Sequence, residues 1–250
     1  MHPAPIARFL CHEDIPALLR LESSQWDPHQ SADASTLRER IEQHPGLCVG
    51  AFGARSGAAL ASLFMRPPTH ERATRARRWA DSARGAAPCP QGRRADALFG
   101  ISLTSIEPAA VTALMRFFWP HALKGGWRRI YLGSPMPGLD RALERDPGLD
   151  VDRYARTRRG ALPLDPQLRY YHRHGFTRLV AVQADYFPHA ASRDHGALLC
   201  GKVPLSEGAA LWRVLPLRWL VALTDALGGP GARTPSRGRA RSWSGARRPA

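Results

Sequence analysis

Apolar positions recur along this chain with two different spacings, and their alternation outlines a mixed fold before any other property is considered. Ile6–Leu10 is a short apolar run that stops at a polar cluster, the pattern of an edge strand. From Asp14 onward Ile15, Leu18, Leu19 and Glu22 follow helical spacing, and Ala34–His44 repeats it with Leu37 and Ile41 on one face before Pro45-Gly46 stops it. Leu47–Ala54 and Ala58–Met65 are apolar runs joined by a Gly-containing turn, which predicts a β-hairpin. Segment 67–95 breaks the pattern: it is rich in Arg, Pro, Gly and Ala with Trp79 as its large apolar residue, and it predicts a long loop. Leu98–Ile106 reads as a strand, Pro108–Leu123 as a helix through Val111, Leu114, Met115 and Phe118, and Arg129–Leu132 as a strand again. Such a β-α-β crossover requires parallel pairing. Segment 133–163 reads as loop-rich, Asp165–His174 as a helix closed by Gly175, and Leu179–Tyr186 with Gly196–Val203 as a final strand pair. The expected fold class is α/β (α+β), a mixed and mostly antiparallel central sheet of about seven strands with one crossover and flanking helices.

Composition narrows the class of protein. The 44% apolar and 23% charged residues are those of an ordinary globular chain, and fibrous, disulfide-scaffold and wholly disordered classes are excluded. Lys plus Arg total 36 against 21 acids, for a formal charge of +15, and all but Lys124 and Lys202 are arginine. Segment 66–94 carries eight Arg against two acids and 228–250 six Arg against none, so twelve of the fifteen charges sit in two stretches. The four cysteines (Cys11, Cys48, Cys89, Cys200) are scattered without a CxxC pair and read as reduced thiols. His12, Glu13 and Asp14 break the first apolar stretch, which leaves no signal-peptide core, and Leu211–Leu227 is too short and too charged to span a bilayer. The expected location is the cytoplasm.

Several local motifs carry a resemblance. Tyr171-His172-Arg173-His174-Gly175-Phe176 is similar to the Y-x-x-x-G-F with which a helix runs into a late strand in the GNAT acyltransferase superfamily. Leu98-Phe99-Gly100, Ile106-Glu107-Pro108, Gly133-Ser134-Pro135-Met136-Pro137-Gly138, Asp165-Pro166, and Tyr186 with Pro188, Ser192 and Gly196 resemble the branch of that superfamily found beside carbon–nitrogen hydrolase domains. The resemblance covers roughly residues 5–205 and implies an acyl-CoA-dependent N-acyltransferase, most simply one that moves an acetyl group from acetyl-CoA (or another acyl-CoA) to an amine by direct attack in a ternary complex. The alternative is a non-catalytic acyl-CoA-binding or interaction module. Its main support is a departure from the superfamily's glycine-rich phosphate loop, because aligning on Pro108 places Val111, Leu114 and Arg116 at the loop's defining positions. That loop presents bare N–H groups at a helix start to the pyrophosphate. In this chain the helix beginning at Pro108 still offers N–H groups, Thr112 a hydroxyl and Arg116 a charge.

The resemblance assigns roles to individual residues. Tyr171 would protonate the departing thiolate as general acid, with adjacent Tyr170 able to take its place. The backbone of Thr104, Ser105 and Ile106 would pair with the pantetheine arm, and Thr112 and Arg116 would meet the phosphates. Glu107 would help deprotonate an incoming ammonium, or simply cap the helix it precedes. Ser134 and Tyr186 are expected acceptor contacts, Ser134 being otherwise a turn residue. His172 and His174, two apart on a helix, face different ways and read as solvated, and no metal site is expected. Nor is any Cys-His or Ser-His-Asp arrangement recognisable.

The expected organisation is an acyltransferase-like domain over 1–205 with 67–95 as lid or solvated loop, an amphipathic helix over 206–227, and a basic disordered tail over 228–250. Trp212, Leu215, Trp219, Leu223 and Leu227 fall close together on that helix, which would dock on the body or on a second copy of the chain, interfacial membrane attachment being the alternative. The expected partner is an amine-bearing small molecule or peptide. Nucleic acid is disfavoured by the scarcity of aromatic platforms among the basic stretches.

Overall fold

The computed structural model describes residues 3–26, 31–68, 77–83 and 96–228. Its strands are β1 (Ile6–Phe9), β2 (Cys48–Phe52), β3 (Ala59–Arg66), β4 (Ala97–Ser105), β5 (Arg129–Pro135), β6 (Arg158–Arg159), β7 (Leu162–Pro163), β8 (Arg178–Gln183) and β9 (Gly196–Lys202). Seven of them form one sheet in the order β1-β2-β3-β4-β5-β9-β8, and β6-β7 is a separate small hairpin. The pairs β1/β2, β2/β3, β5/β9 and β8/β9 are antiparallel, and β4/β5 is parallel as the crossover requires. The β4/β5 ladder runs from Ala97↔Arg129 to Gly100↔Leu132, whereas β4 itself continues to Ser105 and β5 to Pro135.

The helices are α1 (Ile15–Gln25), α2 (Ala34–Gln43), α3 (Trp79–Ala83), α4 (Pro108–Gly125), α5 (Leu139–Arg145), α6 (Val151–Arg156), α7 (Pro166–Arg173), α8 (Ala209–Val214) and α9 (Leu217–Ala226). Their ends follow from local chemistry. Asp33 caps α2 by accepting from Thr36 N, and Asp165 caps α7 by accepting from Gln167 N and Leu168 N while Pro166 fills the first helical position. Gly175, at φ +92°, ends α7 as its left-handed C′ residue, and Phe176 N donates back to Tyr171 O at 3.0 Å.

Three expectations are corrected. The stretch expected as one helix over 206–227 is α8 and α9, separated at Pro216, whose missing N–H and fixed φ end the helical run. The buried positions of α9 are Leu220 and Thr224, while Trp219 is 61% exposed and Leu227 55% exposed, so the Trp212–Leu227 stripe is not a continuous packing face. The supposedly loop-rich 133–163 contains α5, α6 and the β6-β7 hairpin, elements too short to show a period in sequence. Within 67–95, residues 77–83 include α3, and the remainder of the expected lid (69–76 and 84–95) lies outside the described residues together with tail residues 229–250.

The chain divides into two compact units: Met1–Met65, Ser102–His121 and Leu215–Ala250 make the first, Arg66–Ile101 and Ala122–Val214 the second. In the first, α1 packs on α2, and Leu18, Leu37, Val49, Phe64, Leu114 and Leu220 are buried. In the second, Met136, Leu139, Tyr154, Leu168, Ala197 and Leu199 form a core against which Tyr171 and Phe176 pack. Cys11, Cys48 and Cys200 are free thiols. Among the described residues no helix is long and apolar enough to cross a membrane, and no group of three or more His, Cys, Asp or Glu is placed to hold a metal ion.

Candidate functional site

The expected coenzyme-binding residues all belong to the first unit, where their polar side chains are already engaged. Thr104 is buried on β4; its hydroxyl donates to Glu22 Oε1 at 2.5 Å and accepts from Trp26 Nε1 at 2.8 Å. Glu22 is itself buried on α1, and its Oε2 accepts from Ala32 N at 3.3 Å. One carboxylate therefore ties α1, the approach to α2 and the end of β4 together, at the price of desolvation that hydrogen bonds must offset. Ser105 Oγ accepts from Glu107 N at 3.1 Å and lies 2.9 Å from Glu107 O, an ST-type turn that carries the chain from strand to helix. Ile106 N donates to Leu60 O at 3.0 Å, and its side chain is exposed. Glu107 is half-buried and its carbonyl accepts from Ala110 N, so it occupies the cap position of α4. Thr112 Oγ1 donates back to Pro108 O at 3.2 Å, and Arg116 Nη2 pairs with Asp225 Oδ1 at 3.0 Å, both side chains half-exposed.

The second unit holds Ser134, Tyr171 and Tyr186. Ser134 is fully buried and donates to Pro135 O at 2.9 Å. Tyr186 is 2% exposed, and its phenol oxygen is buried without a hydrogen-bond partner. Its ring fills the space that side chains would occupy on Gly133 of β5 and Gly196 of β9, where an added Cβ would stand 2.4 and 2.2 Å from ring carbons. Burial pushes the Tyr186 phenol well above its usual range.

Tyr171 lies on α7, half-buried, with its ring edge-on to Tyr170 at 5.4 Å and to Phe176 at 5.9 Å. Burial pushes its phenol up to about 12, the neighbouring Tyr170 adds to that, and a hydrogen bond from Gln167 opposes it. Like any tyrosine it is a protonated phenol throughout the neutral range, the form a general acid needs. Tyr170 is also pushed up by burial, and its ring stacks on His174 at 4.3 Å.

What fixes α7 was not legible as a site in the sequence. Asp165 is 1% exposed; its Oδ2 accepts from Gly138 N and Tyr154 OH, each at 3.0 Å, and its Oδ1 accepts from Gln167 N and Leu168 N. Burial pushes the carboxyl upward against those four donors, and Tyr154 is pushed up with it. The structure also brings Ser192 Oγ to 2.7 Å from His189 Nδ1, a pair the sequence did not suggest. Ser192 is fully buried and accepts from Met136 N at 2.8 Å, so the pair fastens the loop before β9 to the turn after β5 rather than presenting a nucleophile.

These elements, a parallel β4-α4-β5 crossover within an otherwise antiparallel sheet and a tyrosine-bearing α7 ahead of β8, define a GNAT fold. No family model matches the chain and no curated protein does. Solved structures do. The GphF GNAT-like decarboxylase in complex with isobutyryl-CoA is similar at TM-score 0.61 and 20% identity over 79% of this chain and 98% of that one. The loading GNATL domain of CurA from Lyngbya majuscula is similar at TM-score 0.61 and 14% identity over 80% and 98%. Malonyl-CoA decarboxylase from Rhodopseudomonas palustris follows at TM-score 0.54 and 16% identity over 86% of this chain and 62% of that one.

Proposed function

We propose that this chain binds an acyl-CoA and performs proton-assisted chemistry on its thioester, with transfer of the acyl group to an amine as the reaction. The observation that carries the reading is Tyr171, a neutral phenol on a helix whose start Asp165 caps and ties to Gly138 and Tyr154. In transfer, the amine nitrogen forms a bond to the thioester carbon, the carbon–sulfur bond breaks, the phenol proton goes to the departing thiolate, and the proton that the nitrogen loses passes through water to restore the phenol. No covalent enzyme intermediate is required. β4 supports the binding step because it continues to Ser105 after its ladder with β5 ends at Gly100, leaving main chain at Thr104 and Ser105 as the expected partner of a pantetheine arm. The Pro108 helix start and Arg116 serve the phosphates, and Glu107 serves the incoming amine. The Arg116–Asp225 pair is exposed enough for the guanidinium to change partners.

A second reading, loss of carbon dioxide from a carboxylated acyl-CoA, is favoured by the decarboxylases among the similar structures. In it the same phenol delivers its proton to the carbanion left behind. One experiment separates the readings: acetyl-CoA and malonyl-CoA are titrated by calorimetry, then incubated with the protein and an amine panel while free thiol and carbon dioxide are followed. Amine-dependent thiol release supports transfer, and carbon dioxide without thiol release supports decarboxylation. Binding without either product supports the non-catalytic acyl-CoA-binding module, and no binding at millimolar ligand refutes both catalytic readings and leaves the interaction module.

A further inference from the structure

The second unit contains a cavity of about 340 Å³ that the acyl-CoA reading does not use. Its floor is apolar, formed by Leu168, Phe176, Leu179 and Leu199. Its rim carries the Arg158 guanidinium of the β6-β7 hairpin and the His172 imidazole of α7 facing each other, Arg158 Nη1 to His172 Nε2 at 3.3 Å. His172, expected to be solvated, is half-buried, and burial together with the Arg158 charge holds its pKa below the usual histidine value.

The charge around this cavity is one-sided. Arg156 and Arg158 line it and no carboxylate does, the acid that caps α7 lying outside the lining. That acid, Asp165, is buried and committed to four donors, so it does not neutralise the rim. Arg156, also lining the cavity, is paired with Asp152 at 2.6 Å. Arg158 instead donates to Ala161 O at 2.9 Å and has no carboxylate partner among the described residues. A guanidinium beside an imidazole above an apolar floor is complementary to a small molecule with a carboxylate head and a hydrocarbon body. The volume lies at the low end for ligand pockets, which suits a short chain. The chain's own tail over 228–250, with six arginines and no acid, has the wrong charge to occupy it.

We infer that the cavity between α7, the β6-β7 hairpin and the β8/β9 strands is a binding site for a short-chain amphiphilic carboxylate, with Arg158 and His172 holding the head group and Leu168, Phe176, Leu179 and Leu199 the tail. The inference is independent of the acyl-CoA reading. The test is calorimetry of the full chain with octanoate, with octylammonium as the charge-reversed probe, and with octanoate in the presence of saturating coenzyme A. Octanoate gives a saturable one-site isotherm, octylammonium gives none, and coenzyme A leaves the octanoate isotherm in place. Arg158→Gln weakens octanoate binding about tenfold or more, the loss expected for a charge-assisted contact. Because Arg158 also braces its hairpin, His172→Gln is the second variant, and it weakens binding by about threefold with the hairpin contact intact. Octanoate that does not bind at millimolar concentration, equal binding of octylammonium, unchanged affinity in both variants, or displacement by coenzyme A would each overturn the assignment.

Discussion

Two helices in this protein start in the same way and end in opposite electrostatic states. Asp33 caps α2 in the first unit and Asp165 caps α7 in the second, each accepting from backbone N–H groups of its own first turn. Asp33 is exposed, and its hydrogen bonds to Thr36 N and the Thr36 and Ser35 side chains hold its carboxyl down at about 2. Asp165 has more donors, yet burial pushes it up. A capping residue in water answers only to its local hydrogen bonds, whereas one sealed under Tyr154 and Gly138 also answers to desolvation. The same contrast extends to the candidate site. Near α4 the expected coenzyme ligands are tied to other side chains or to the backbone, while in the second unit Tyr171 has a hydrogen bond from Gln167 and the fully enclosed phenol of Tyr186 has no partner.

The sharpest way to break the comparison is Asp165→Ala. It strands Tyr154 OH and three backbone N–H groups in a buried setting, and it is expected to cost about 3–5 kcal/mol in urea unfolding, against a small effect for Asp33→Ala. Equal effects at the two caps would mean that burial of Asp165 does not matter. Tyr171→Phe comes next, with acyl-CoA turnover falling about 100-fold and acyl-CoA affinity unchanged, because the phenol acts in the transition state. Turnover that stays level would pass the proton to Tyr170 or to water. Since the Tyr171 phenol titrates near 12, the wild-type rate should show no descending limb from this group between pH 6 and 9.

Gly196→Ala drives a methyl group into the Tyr186 ring and is expected to destabilise by about 2 kcal/mol, read as a lowered denaturation midpoint with unchanged slope. Arg116→Ala should change stability by less than about 1 kcal/mol, as expected of an exposed pair, while weakening acyl-CoA binding several-fold in a salt-dependent way. An unchanged dissociation constant would leave the phosphates to the α4 N-terminus alone.

The smallest effect separates the two caps by sign. A carboxyl depressed to about 2 contributes stability above the ordinary Asp range of about 3.9 that is lost as pH falls through 2. A raised carboxyl behaves oppositely, favouring the native state on the acid side and losing that contribution as pH rises through its folded value. Acid titration of helix content should therefore show a low-pH loss that Asp33→Asn removes and Asp165→Asn does not.

Sequence by itself determined the elements whose signals are local. The seven strands of the main sheet, the crossover, the α2 and α7 boundaries and the GNAT resemblance of the Tyr171–Phe176 motif depend on spacing, caps and turn residues, and these survive in the fold. The helix expected across 206–227 failed for an equally local reason, because Pro216 was outweighed by the apolar spacing around it. Tertiary structure alone decided the rest. Glu22 meets Thr104 across 82 positions of chain, Arg116 meets Asp225 across 109, and Ser192 meets Met136 across 56. No periodicity encodes such pairings. Whether Asp165 titrates above or below an ordinary aspartate, and whether His172 faces solvent or a guanidinium, depends on what covers the residue, and burial is a property of the assembled chain.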